Sequence, residues 1–157
     1  MTTRRPWNSG RAVGSPVEWS LRRDTLKNAF DPLVRPILAA QPFRYYDEAS
    51  MVRHLERVLA NAGIPTTREA RLRIFGRIDL RTTGRWPVGI EVKARDNGRY
   101  AIEQQLACYA RSGLLHGLIL VTAVERHLRL GDIGLGLAFL VVHLSGAVRA
   151  PTLATRL

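Results

Sequence analysis

Residues 76–94 read GRIDLRTTGRWPVGIEVKA: two short β-rich runs with Thr83, Gly84 and Arg85 where a hairpin turn belongs. Side chains alternate along a strand, so Glu91 and Lys93 share one face of the second run. If the two runs pair through the hairpin, Asp79 stands next to Glu91. Such a carboxylate pair repels itself unless a hard cation sits between, and the main-chain carbonyl of Val92 is a further ligand for that cation. Both acids lie inside apolar runs, Ile78 and Leu80 around one and Ile90 and Val92 around the other, and a buried carboxylate needs a partner.

Working outward, REARLRI (68–74) is a third β-rich run. Before it, YYDEASMVRHLERVLANAG (45–63) places Met51, Val52, Leu55, Val58, Leu59 and Ala62 on one stripe and stops at Gly63, which predicts a helix. After the hairpin, AIEQQLACYARSG (101–113) reads as a second helix and GLILVTA (117–123) as a buried strand. A helix from about Glu125 through Leu135, a strand in AFLVVHL (138–144), a turn at Ser145-Gly146 and a short strand near Val148 complete the expectation. The order α-β-β-β-α-β predicts an α/β fold with a mixed central sheet flanked by helices. Residues 43–157 are read as the main domain. Residues 16–42 are a helical extension of two short helices broken at Pro32 and Pro36, and residues 1–15 a flexible basic arm.

The 157 residues suit one domain with one site. Formal net charge is +11, from 24 basic and 13 acidic side chains spread along the whole length, a surface that attracts polyanions. An arginine-rich composition alone gives the same charge. Only Lys27 and Lys93 are lysines, so position 93 keeps an amine in a chain that otherwise writes its cations as Arg. Cys108 is alone and the Cys and His spacing holds no structural zinc, which makes a reducing cytoplasm the default. The first residues lack the apolar segment of a secretory signal, and IGLGLAFLVVHL (133–144) is too short to span a bilayer, so no membrane role is expected.

Asp79, eleven intervening residues and then Glu91-Val92-Lys93 resemble the PD-(D/E)xK nuclease superfamily, over roughly residues 45–145. Gln105-Leu106-Ala107-Cys108-Tyr109 resembles the Q-h-x-x-Y signature of its RecB-like branch, which includes phage-type exonucleases. The chain departs from the label in having Ile78, not proline, before Asp79. The resemblance implies a restriction-endonuclease-like core and metal-dependent hydrolysis of DNA phosphodiesters in phage, repair or recombination. It also implies Mg²⁺ as cofactor, with Mn²⁺ substituting, and no organic cofactor. Asp79, Glu91 and the Val92 carbonyl would hold the ion, and Lys93 would orient or activate the attacking water, a task suited to a compact amine.

The superfamily also places an acid or a histidine on the first helix, and Glu48, His54 and Glu56 are the candidates. At about 100° per residue Glu48 falls roughly 20° from the centre of the apolar stripe, against about 100° for the other two. Glu48 is therefore the first choice and His54 the second, provided that the helix does not start at Ser50. Gln105 and Tyr109, one turn apart, would orient the substrate or a catalytic carboxylate. Arg77, Arg81, Arg95 and Arg99 would touch the phosphate backbone without reading sequence. Homo-oligomers are common among nucleases of this size, and the setting would be the host cytoplasm or, for a phage protein, the virion. The rival readings are a DNA-binding or structural protein of the same fold that does not cut, and a junction resolvase or ribonuclease.

Overall fold

The computed structural model describes residues 30–149. The expected arm (1–15) and the start of the extension, through residue 29, lie outside the described residues. A helix, α1, covers residues 30–39 and runs through Pro32 and Pro36, where breaks were expected. Pro36 lacks the N–H that would reach the carbonyl of residue 32, which costs one ladder bond. Phe30, Leu33 and Ile37 are buried in the core on the same helix, and that burial outweighs the missing bond.

Helix α2, Glu48–Asn61, starts earlier than a Ser50 cap would allow. Asp47 is the N-cap: its carboxylate accepts from Ser50 N at 2.7 Å, while Ser50 Oγ accepts from Asp47 N at 3.1 Å. Met51, Leu55 and Leu59, on one stripe, are fully buried, each stabilising the fold by about 2 kcal/mol.

Five strands form the sheet in the order β2-β3-β4-β5-β6: β2 (Thr66–Arg71), β3 (Arg77–Thr82), β4 (Val88–Lys93), β5 (Gly117–Thr122) and β6 (Ala138–His143). The first three are antiparallel and the last three parallel, so the sheet is mixed. A second, two-stranded sheet pairs β1 (Arg44–Tyr45) with β7 (Val148–Arg149) in parallel, tying residues 148–149 to the segment before α2. Helix α3, Arg99–Arg111, connects β4 to β5 as a crossover. The stretch expected as a helix to Leu135 is instead a 3-10 run, Glu125–Asp132. Gly131, Gly134 and Gly136, the last at φ 74°, disfavour a continuous α-helix there.

Alternation along β4 divides the core. Val88, Ile90 and Val92 join α1 and α2 in one apolar cluster, while Ile102, Leu106 and Tyr109 of α3 pack with Leu118 and Leu120 in the other. Gly89 is required by this packing, because a Cβ there would collide with Ile78 and Leu115. Pairing between β3 and β4 holds at Leu80↔Ile90 and Arg81↔Gly89 and goes no further toward Lys93. Leu80 belongs to the α2 cluster but Ile78 to the α3 cluster, so β3 changes face at Asp79. A fork opens where the two strands part.

Candidate functional site

The fork is closed by a side chain. Asp79 Oδ2 accepts from Val92 N at 2.7 Å, replacing the main-chain acceptor that a continuous ladder would have offered. A residue's N–H and C=O point to the same side of a strand, so the Val92 carbonyl faces the fork as well. Glu91 and Lys93, two residues apart on one face, meet directly: Lys93 Nζ donates to Glu91 Oε1 at 2.8 Å. Glu48, the first residue of α2, reaches over the end of β4. Its Oε2 accepts from Ala94 N at 3.1 Å, and its Oε1 lies 3.7 Å from Lys93 Nζ.

Glu48, Asp79, Glu91 and Lys93 thus converge: the ammonium pairs with Glu91 and lies near Glu48, and the Asp79 charge also acts on it. Glu91 and Lys93 are buried, at 2% and 5% exposure. Burial pushes the Asp79 carboxyl up to about 6, against the lowering effects of the Val92 N–H and the Lys93 charge. Burial and then the Asp79 charge push Glu91 up to about 7. Burial alone would lower Lys93, but Glu91, Glu48 and Asp79 together hold it above its ordinary value, so it stays an ammonium. Glu91 Oε2 is buried without a hydrogen-bond partner. An orphaned carboxylate oxygen in a cluster with surplus negative charge fits a hard cation. As the carboxylates stand, clasped by Lys93 and by main-chain N–H groups, the described residues include no group of three His, Cys, Asp or Glu that could hold a metal ion.

His54 packs its ring on Phe43, centroids 4.4 Å apart, and is not part of the cluster. Gln105 and Tyr109 do meet: Gln105 Nε2 donates to Tyr109 Oη at 2.8 Å, and Tyr109 Oη donates to the Arg77 carbonyl at 2.6 Å. Tyr109 is buried, and burial followed by the nearby Glu91 charge raises its pKa. The pair fastens α3 to the first residue of β3, two residues from Asp79. Of the four predicted backbone arginines, Arg77 and Arg95 are exposed, and Arg81 is half-buried with Nε lacking a partner. Arg99 is paired with Glu103 on its own helix.

A cleft of about 410 Å³ opens beside Asp79 and Glu48, lined also by Arg53, Arg68 and Glu69. Sequence reasoning missed Glu69. It lies opposite Asp79 in the β2–β3 register, between Arg68↔Leu80 and Ala70↔Ile78, at φ 52°. Centring the β2–β3 hairpin on residues 72–76 would have found it. A second polar cluster was also missed: Thr122 Oγ1 lies 2.7 Å from His127 Nδ1, and Asp96 Oδ1 lies 3.6 Å from His127 Nε2. Thr122 Oγ1 also accepts from Val124 N at 3.0 Å, which ties the end of β5 to the start of the 3-10 run.

Comparison with protein-family models, with curated proteins and with solved structures finds no match to this chain. No described helix is long and apolar enough to cross a membrane.

Proposed function

We propose that this chain is a metal-dependent nuclease that hydrolyses DNA phosphodiester bonds, on a restriction-endonuclease-like core. One observation carries the reading: Glu48, Asp79, Glu91 and Lys93, from three separate elements, meet at the fork between β3 and β4 with a buried carboxylate oxygen to spare. The succession α2-β2-β3-β4-α3-β5 supports it, as does a net charge of +11.

Asp79, Glu91 and the Val92 carbonyl would hold Mg²⁺, with Glu48 as the fourth donor. When bound, the ion supplies positive charge against the scissile phosphate and makes an attacking water easier to ionise. Lys93, kept charged by its three carboxylates, gives hydrogen bonds and opposes developing negative charge; it does not take a proton. Burial raises Glu91 and Asp79 toward neutrality while no ion is bound, so a cation entering near pH 7 would displace protons from them. Tyr109 and Gln105 hold β3 against α3 and so keep Asp79 in place. Arg53 and Arg68 line the cleft next to Asp79, where a phosphate backbone would lie.

A second reading is a nucleic-acid binder that does not cut, favoured by the fact that Lys93 and main-chain donors already engage the carboxylates. Incubation of plasmid and linear DNA with Mg²⁺ separates the two. The nuclease reading expects product from the wild type and a loss of at least a thousandfold in Asp79→Ala, with DNA binding retained. A wild type that binds DNA but makes no Mg²⁺-dependent product would establish the binder instead.

A further inference from the structure

The turn between β2 and β3, residues 72–76, is a short hairpin tip at the same end of the sheet as the acid cluster. It is closed by Leu72 N donating to the Gly76 carbonyl at 2.8 Å and by Phe75 N donating to the Leu72 carbonyl at 3.0 Å. Leu72 is fully buried and Phe75 packs on the α3 cluster, so both shoulders of the tip are pinned inward. Between them Arg73 and Ile74 are thrown outward. Ile74 is 92% exposed, more than any other exposed large apolar residue described, the next being Tyr100 at 74% with a polar hydroxyl. Tips of this kind favour Gly, Asn or Asp. Here an arginine stands at φ 57° and an isoleucine at the apex.

Arg71, Arg73 and Arg77 are all exposed, and none of them is in an ion pair among the described residues. Three free guanidinium groups around an apolar apex match a polyanion with a stacked apolar interior better than they match a protein surface. Ile74 and Asp79 are five residues apart, at most about 18 Å of chain, or about five base steps along a strand.

We infer that this tip is a wedge for duplex DNA: Ile74 inserts between base pairs within about five steps of the cut, while Arg71, Arg73 and Arg77 hold the flanking phosphates. The inference deepens the nuclease reading, on which it rests, and assigns double-stranded DNA as the substrate that the cleft receives. Unstacking at the wedge frees one strand to enter the cleft between α2 and the β2–β3 hairpin.

Ile74→Asn tests it, since a neutral, turn-compatible residue at an exposed apex does not endanger the fold. Cleavage rates on a duplex and on the corresponding single strand are compared for wild type and variant. Separately, a duplex carrying 2-aminopurine is bound by Asp79→Ala with and without Ile74→Asn. The wedge predicts that the duplex-to-single-strand rate ratio falls at least tenfold in the variant. It also predicts that bound Asp79→Ala brightens the fluorophore, and that the double variant binds without brightening it. An unchanged ratio together with no brightening overturns the proposal, as does an apex whose substitution only dissolves a dimer of this chain. If the wild type cuts neither DNA, the nuclease reading fails by itself, and the fluorescence, which needs binding alone, still decides the wedge.

Discussion

Two polar clusters sit side by side at the C-terminal ends of β4 and β5, and each contains a buried atom without a hydrogen-bond partner, Glu91 Oε2 in one and His127 Nε2 in the other. In the first, three carboxylates gather around a single ammonium that pairs with Glu91 and Glu48, and burial raises Asp79 and Glu91 toward neutrality. In the second, burial holds His127 below its ordinary value, so it stays neutral, and Asp96 is answered by Arg126 at 2.9 Å. The second cluster has its charges balanced and clasps the 94–98 loop to the 3-10 run. The first has surplus charge that the protein does not satisfy. Two orphaned atoms in one neighbourhood therefore sit in different settings: one lies among surplus negative charge, the other among balanced charge.

Substitution at the first cluster should damage chemistry most. Lys93→Arg keeps the charge but puts a larger, planar group where the ammonium is only 5% exposed. Its cleavage rate should fall about a hundredfold or more while circular dichroism stays that of the wild type. Activity within threefold would show that any cation suffices there. At the second cluster the pattern should invert. His127→Ala removes a 2% exposed ring and its Thr122 bond, and should cost about 2–3 kcal/mol in urea melts. Its cleavage rate per folded molecule should stay within about threefold of wild type. A hundredfold loss with intact stability would merge the two clusters into one machine.

Much of this arrangement was legible in the sequence because it depends on periodicity. Asp79, Glu91 and Lys93 followed from strand alternation and a short hairpin; Glu48 was a candidate only through the family resemblance, and its angle to the apolar stripe of α2 ranked it ahead of His54. The fork was not legible, since a period of two assumes a ladder that continues, and only coordinates show Asp79 replacing a main-chain acceptor at Val92. Pro32 and Pro36 read as breaks because local cost is visible in a sequence and the burial that offsets it is not. Leu128 and Leu130 carry apolar character into a stretch whose glycines end it as a 3-10 run. Ile74 was read as part of a strand, because an isoleucine held outward by two buried neighbours looks like any other β-former. Asp96, Thr122 and His127 come from three segments with no common spacing, and no pattern links them before folding.

The smallest effect is also the most direct test, because it asks the first cluster alone whether it takes a cation. Asp79 and Glu91 titrate above their unfolded values, so the folded protein binds the extra protons between about pH 4 and pH 7 and loses stability as pH rises through that window. Melting of the wild type without metal should fall by several degrees from pH 5.5 to pH 8, equivalent to about 1–2 kcal/mol. Millimolar Mg²⁺ should restore that loss at pH 8 and do little at pH 5.5. Asp79→Asn keeps an oxygen for the Val92 N–H and lowers the surplus charge, so it should flatten both the pH and the Mg²⁺ dependence. Wild type and Asp79→Asn melting alike at both pH values, with no response to Mg²⁺ in either, would contradict a cation site at the fork.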